Sequence, residues 1–530
     1  MVAVLTNEKD SAMSALASRT RRFTQQHAPS RRRSHSVRAQ AAEPQSTQER
    51  RGALLVLVCL AQLMVILDVS IVNVALPSIR GGLHFSTTGL QWVVNAYTLT
   101  FAGFLMLGGR ASDLLGRRRV FLVGIALFSL ASLACALSDS GPMLIAARTV
   151  QGIGGAVISP ASLAIITTSF KEGRERSRAL GVWGAMGGVG GSLGALLGGV
   201  LTQVFSWPAI FLVNVPIGLG VIVFARRGII PAGRAVEGER HFDASGALLV
   251  TGALTALVYA IVRTDTLGWG APGVLIPLAI GAVLLAAFVF VEGKVARAPL
   301  MPLRVFRMAR LRAANLIMFL LYAAVFSIWF FLSLYLQEVL HYGPLQTGLA
   351  FLPMTLAIVA TSALAPRIVA RVGERRLLTV GMLCAAVGLF LLMDVRSGGS
   401  YVADVLPGGV LAALGLGLSL VPATIAAVSG VPAKESGLAS GMLNTSRLIG
   451  GALGLAVLST IAASQTRGDL LAGASNSAAL SGGFRIAFAV AAGLSLLGAL
   501  AAAVLLRAPV SVPVAGVEPA ADTAQASTAQ

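Results

Sequence analysis

The sequence predicts an all-α polytopic membrane protein with fourteen transmembrane helices, in two six-helix bundles plus two extra central helices. Three observations lead there. The first is composition: of 530 residues, 56% are hydrophobic and 12% charged, with a mean hydropathy of +0.81, whereas soluble domains carry about 25% charged residues. The second is a succession of apolar runs of about 20 residues, the length needed to cross a bilayer. The third is a repeat. The stretch GVWGAMGGVGGSLGALLGG, Gly181 to Gly199, holds nine glycines. Its Gly181, Gly190, Gly191, Leu193 and Gly194 return at one constant offset as Gly441, Gly450, Gly451, Leu453 and Gly454.

Taken in order, residues 1–52 are polar and rich in arginine (Arg19, Arg21, Arg22, Arg31, Arg32, Arg33, Arg38, Arg50, Arg51). They are expected to form a disordered basic cytoplasmic tail, although a transit peptide shares this look. The apolar run after Arg51 lacks a signal-peptidase site and leads into further spans, so it reads as a first transmembrane helix and not a cleaved signal. The predicted spans are 53–76, 88–108, 119–138, 143–166, 178–200 and 207–225, the N-terminal bundle (53–225). Next come 244–263 and 274–292, the two extra helices (244–292). The C-terminal bundle (313–507) holds 313–337, 346–366, 377–395, 404–428, 438–463 and 484–507, and the polar residues 508–530 are expected to be a second disordered cytoplasmic tail.

Most of the 41 Lys and Arg fall in alternate loops, beginning with the N-terminal tail. The opposite loops and span ends hold only Arg80, Arg263, Arg396, Arg467 and Arg485, while Arg148 and Arg447 lie within spans. The positive-inside rule then predicts that both termini are cytoplasmic and that the protein is a multi-pass protein of the cell membrane. The net charge of +19 is therefore a topology signal, and no nucleic-acid partner is expected.

In water each interior glycine of the 181–199 stretch would cost about 1 kcal/mol against alanine. In lipid the backbone must satisfy its own hydrogen bonds, so the stretch is helical. Gly190, Gly194 and Gly198 share one stripe, with Gly187 and Gly191 beside it, a smooth face for another helix; ordinary tight packing is the plainer alternative. A second match aligns Gly116, Arg118, Arg119 and Gly124 with Gly373, Arg375, Arg376 and Gly381. Both matches shift the chain by eight helices. An even shift preserves orientation, which predicts parallel repeats about an axis normal to the membrane.

Few residues can carry chemistry. Asp68, in LDVSIVNVALP, lies about two thirds along span 1, where a carboxylate must be paired or neutralised. Arg148 lies in span 4, within one or two helical turns of the same depth. The two are expected to interact directly or through water, with Asp68 taking up and releasing a proton; a static structural ion pair is the alternative. Asp113, ahead of Arg117, Arg118 and Arg119 at the end of span 2, suggests a cytoplasmic latch between helices, against a role in topology alone. Other signals lead nowhere. Cys59, Cys135 and Cys384 lie in apolar segments and build neither a disulfide framework nor a zinc site. The five histidines are scattered, and no phosphate-binding GxxxxGK[ST] loop exists. Gly190-Gly191-Ser192-Leu193-Gly194 fits GxSxG, but it lies in an apolar helix with no histidine partner.

Together these stretches resemble the major facilitator superfamily, specifically its fourteen-helix drug:H+ antiporter-2 group of the EmrB/QacA type. LDVSIVNVALP is similar to that group's first-helix motif. QWVVNAYTLTFAGFLMLGGRASDLLGRRR is similar to its second helix and loop motif, with Gly109, Asp113, Gly116, Arg117 and Arg118 in place. LIAARTVQGIGGA resembles the fourth-helix motif (Arg148, Gln151, Gly152), and the glycine stretch resembles the fifth-helix antiporter motif at Gly181, Gly190, Gly194, Gly198 and Gly199. One departure is Ala195, where that motif has proline.

The resemblance implies the major facilitator fold, alternating access, Asp68 and Arg148 as the proton-coupling pair, and the motifs around Asp113 and Gly190 as gating elements. The expected function is export of small lipophilic drugs or antibiotics by proton antiport. The rivals are a facilitator or importer on the same fold, and a transport-dead membrane sensor. No enzyme activity, metal or cofactor is expected; the proton gradient is the energy source, protons and the lipid bilayer are partners, and the resemblance favours a monomer. Gln91, Asn95, Tyr97, Gln151, Asn315, Tyr322, Trp329 and Asn444 are candidates to line a substrate cavity, each equally readable as an interhelical hydrogen-bonding residue.

Overall fold

The computed structural model describes residues 45–171, 173–230, 243–296, 299, 308–429, 431 and 436–506. The basic tail up to residue 44 and the tail from residue 507 lie outside the described residues. Contacts divide the chain into Met1–Gly52 and Ala53–Gln530, and the architecture here is that of the second unit. The first helix, however, already begins at Gln45, so the end of the stretch read as tail is helical.

Among the described residues every regular element is a helix, and fourteen are long and apolar enough to cross a membrane. They are α1 (Arg50–Leu83), α2 (Thr88–Leu115), α3 (Arg117–Ala136), α4 (Gly141–Ser169), α5 (Arg178–Val204), α6 (Ala209–Arg227) and α7 (Ala244–Thr264). The others are α8 (Pro272–Val295), α9 (Ala309–Val339), α10 (Pro344–Val372), α11 (Glu374–Asp394), α12 (Tyr401–Val428), α13 (Leu438–Leu471) and α14 (Asn476–Leu505). Their apolar windows are buried very unequally: 78% in α2 but 17% in α8. Helix α2 is therefore central, and α8 presents its apolar side to lipid.

Helix ends differ from the apolar runs because caps, not hydropathy, set them. Helix α14 starts at Asn476, ahead of its apolar run, because the Ser475 side chain accepts from the Ala478 N–H. Helix α1 runs through Pro77 as far as Leu83. Helix α6 is broken at Val213, between Ala209–Leu212 and Asn214–Phe224. Pro216 has no N–H to give the Leu212 carbonyl and crowds that turn, and one residue earlier the Phe211 carbonyl accepts from the Ser132 hydroxyl (2.9 Å).

The repeat reappears as packing. The pairs α2–α4, α3–α4 and α3–α6 recur eight helices later as α10–α12, α11–α12 and α11–α14. Two seams join the halves, α5 with α10 and α13 with α2, and each is the other's counterpart under that shift. The glycine stripe explains the closest approach. A Cβ on Gly190 would lie 2.9 Å from Ile66, on Gly194 2.6 Å from Ser70, and on Gly198 2.8 Å from the Ile71 carbonyl, all on α1. Gly450 and Gly454 meet the carbonyls of Phe319 and Ala323 on α9 in the same way. Gly187, expected beside this contact face, has nothing within 4 Å of an added Cβ and borders open space; Gly191 is also open in its Cβ direction, but its carbonyl accepts from the Ser70 hydroxyl of α1 (2.8 Å).

Helix α5 also faces α10: Gly188 meets Val359, the Ala195 carbonyl meets Gly348, and Gly199 meets Leu345. The helix continues unbroken through Ala195, the position of the missing proline. Helix α7 packs on both α2 and α13, where Leu99, Leu254, Val258, Val262, Ala452 and Ala456 form one buried cluster.

Candidate functional site

The densest polar cluster inside the membrane lies within the N-terminal bundle. Asp68 on α1 and Arg148 on α4 form an ion pair at 2.5 Å, with side-chain exposures of 0% and 1%. Unpaired, either charge would be costly in this setting. Here the remaining hydrogen-bonding capacity is filled too. The second Asp68 oxygen accepts from Gln151 Nε2 (2.8 Å) and Asn214 Nδ2 (3.1 Å). Arg148 Nε donates to the Val93 carbonyl (3.0 Å), its Nη1 donates to Gln151 Oε1 (2.7 Å), and its guanidinium lies 4.4 Å from the Tyr97 ring centre. Ser132 on α3 accepts from both Gln151 (3.1 Å) and Asn214 (3.0 Å), and the Cys135 thiol donates to Gln151 (3.5 Å).

Each member reaches the cluster for a local reason. The break before Pro216 places Asn214 at the start of the second half of α6, where its amide turns inward. Gly152 lets α4 approach α2 closely, since an added Cβ would run into Tyr97 and Thr100. That closeness brings Arg148 within reach of the Val93 carbonyl. Three donors, from α4 and α6, thus occupy the two Asp68 oxygens.

Sequence reasoning brought Asp68 and Arg148 together but missed Ser132, Cys135 and Asn214. Gln91 and Asn95 are fully buried and bonded to each other (3.4 Å), and Tyr97 and Gln151 are buried against Arg148. The Gln91–Asn95 bond runs along α2 alone, whereas Gln151 bonds across helices to Asp68 and Ser132, and the Tyr97 hydroxyl donates to the Val65 carbonyl of α1 (3.5 Å). Asn315 also turns inward, accepting from Ser446 (2.7 Å). Tyr322 and Trp329 are partly exposed and Asn444 is exposed. Trp329 borders a small apolar cleft with Ile328, Met354 and Gly409.

The two ends of the seams differ. Where α1 and α9 end, Arg80 donates to both oxygens of Glu338 (2.7 and 2.6 Å), and Gln337 donates to the Val74 carbonyl (2.8 Å). Beside them Gln203 accepts from the Leu345 N–H (3.1 Å). Toward the start of α5, by contrast, Gly181, Gly184 and Gly187 border empty space. The halves are thus bridged at the Arg80–Glu338 end, while the other end has a gap along α5, although Gly441 of α13 still lies against Met106 of α2 there. At that end Asp113 is 59% exposed and lies 3.7 Å from Arg117 across the turn. Arg118 donates to the carbonyls of Ala225 and Arg226 at the end of α6 (both 3.2 Å). Gly116, at φ +93° between α2 and α3, provides the left-handed turn that side chains disfavour. A Cβ added at Gly109 would lie 3.5 Å from Pro160. These loop-motif contacts stay within the N-terminal bundle.

The profile described as Major Facilitator Superfamily matches residues 58–455. The chain belongs to the major facilitator superfamily. It is thus a multi-pass membrane protein of a family of transporters. It is similar to the cephamycin export protein CmcT of Amycolatopsis lactamdurans, at 43% identity over 78% of this chain and 86% of that one. It is also similar to the puromycin resistance protein pur8 of Streptomyces alboniger, at 39% identity over 89% and 94%. Among solved structures, the POT family transporter PepTSo superposes with a TM-score of 0.62 at 15% identity, over 85% of this chain and 97% of that one. At that identity the likeness speaks for the major facilitator fold alone.

Proposed function

We propose that this protein exports small lipophilic antibiotics or related toxic compounds across the cytoplasmic membrane, driven by proton entry. The observation that carries the reading is the buried Asp68–Arg148 pair in a superfamily member whose relatives are named for antibiotic export and resistance. The residues 53–225 and 313–507 act as the two halves that rock against each other, with 244–292 between them, in a monomer. The bias of basic residues supports cytoplasmic termini. On that orientation the end bridged by Arg80 and Glu338 is external, and the gapped end faces the cytoplasm.

The cycle follows from the site. Cargo enters from the cytoplasm between the halves, and the halves close behind it as Asp113 and the arginines after it engage across the gapped end. A proton arriving from outside reaches Asp68 only when Gln151, Asn214 or Arg148 lets go, so proton entry is tied to the exchange of open ends. The glycine faces of α5 toward α1 and α10 allow that motion with little side-chain rearrangement.

The test is proton release from energised inside-out vesicles containing the protein, on addition of a panel of neutral, cationic and anionic lipophilic compounds. Cargo-dependent proton release, lost in Asp68→Asn, is the expected result. Transport that persists in the variant with unchanged pH dependence removes Asp68 from coupling.

A further inference from the structure

Arg447 carries a charge within α13 that the Asp68 cluster does not use. Among the described residues no carboxylate pairs with it. Its Nε is buried with no acceptor, and its guanidinium carbon lies 5.2 Å from the centre of the Tyr322 ring on α9. Tyr322 in turn stacks with Phe326 one turn along (6.5 Å between centres, 28° between planes). The N-terminal half neutralises its embedded arginine with Asp68. Among the described residues the C-terminal half pairs no acid with Arg447, and an unmatched charge inside a membrane span marks a functional position by default.

The direction of the side chain follows from its neighbours. Successive helical residues turn by about 100°. On α13, Gly450 and Gly454 face α9, while a Cβ added at Gly441 would lie 3.9 Å from Met106 of α2. Arg447 and Asn444 occupy the arc between those two contacts, so they look into the space between the halves. The repeat agrees: the counterparts of Arg447 and Asn444 on α5 are Gly187 and Gly184, where an added Cβ meets nothing within 4 Å. One wall of the central space is therefore smooth glycine, and the facing wall carries a cation, an amide and two aromatic rings.

We infer that Arg447, with Asn444 and the Tyr322 ring beside it, is where the central cavity holds an anionic group, so that the cargo is a lipophilic molecule bearing a carboxylate. This deepens, and rests on, the export reading. The guanidinium fork matches two carboxylate oxygens, Asn444 adds a neutral donor, and the Tyr322 and Phe326 faces take an apolar body. The cargo itself brings the counter-charge that the protein lacks here, while a cationic compound meets a like charge.

The experiment uses the purified full-length protein with 1-pyrenebutyrate and its uncharged methyl ester, followed by fluorescence anisotropy and then by movement across vesicle membranes. The acid is expected to bind about tenfold more tightly than the ester, the scale of one charge-assisted hydrogen bond. Arg447→Gln abolishes that preference by weakening the acid alone, and Arg447→Lys, which keeps the charge, retains part of it. Equal affinity for acid and ester in the unaltered protein, binding of neither, or equal weakening of both by Arg447→Gln overturns the assignment. Binding of the acid without its transport sinks the export reading and leaves the anion site standing.

Discussion

Replacing Asp68 by asparagine tests whether the buried pair is more than a static brace. Asp68 accepts from Arg148, Gln151 and Asn214. An asparagine keeps one acceptor oxygen and turns an amide donor toward groups that are themselves donors. Arg148, 1% exposed, keeps its charge with no counterion. Breaking such a pair from one side costs about 3–5 kcal/mol. Arg148→Gln alone leaves the complementary unpaired charge and should cost a similar amount. The double variant removes both charges, so it should be less destabilised than the sum of the singles by about 3 kcal/mol. Unfolding in mixed micelles of increasing sodium dodecyl sulfate, followed by tryptophan fluorescence, gives the three free energies. Additive single variants would refute the energetic argument. Proton-linked transport in the double variant, restored along with stability, would make the pair structural only.

Other consequences are as direct. Gly194→Val drives a side chain into Ser70 and the Leu67 carbonyl and should cost about 1–3 kcal/mol, whereas Gly187→Ala should stay within about 0.5 kcal/mol of the parent; thermal unfolding in detergent compares them. Arg80→Gln removes a partly exposed pair to Glu338 worth about 0.2–1 kcal/mol. It should raise labelling of a cysteine placed at Gln203, in a cysteine-free background, by up to about fivefold with a membrane-impermeant maleimide; unchanged labelling would mean the pair does not hold this end shut. Asn214→Leu strips one donor from Asp68 and should cost about 1–3 kcal/mol, and the pH at which transport is half-maximal should move. A variant as stable as the parent with an unmoved pH profile would exclude Asn214 from the coupling network.

What the sequence made legible follows from where its signals are strong. All fourteen spans were readable because a bilayer demands long apolar runs, and the two-fold packing was readable because Gly190 and Gly194 return as Gly450 and Gly454. Asp68 and Arg148 stood out because charges are scarce in such runs. Ser132, Cys135 and Asn214 did not, since a single hydroxyl, thiol or amide is commonplace in a span and its partners come from other helices. The one available hint for Asn214 was its place just before Pro216, where a helix opens. Helix ends were misjudged where a cap such as Ser475 lies beyond the apolar run. Gly187 looked like a contact residue, but on a helix with neighbours on two sides a position between them borders a gap, while Gly191 keeps contact with α1 through its carbonyl. Arg80 and Glu338 each read only as a charge near a span end; nothing local links residues from different halves of the chain.

Helix α7 lies along the α2–α13 seam, while the α5–α10 seam has no such cover from the two extra helices. A greasy compound dissolved in the surrounding lipid therefore does not meet two equivalent side entrances, despite the internal symmetry of the halves. On one flank it encounters a shutter, reinforced by Leu254, Val258 and Val262; on the other it encounters small residues such as Ala195 and Gly348 lying edge to edge. On the proposed export reading, sideways traffic between the bilayer and the space between the halves is thus biased to a single flank.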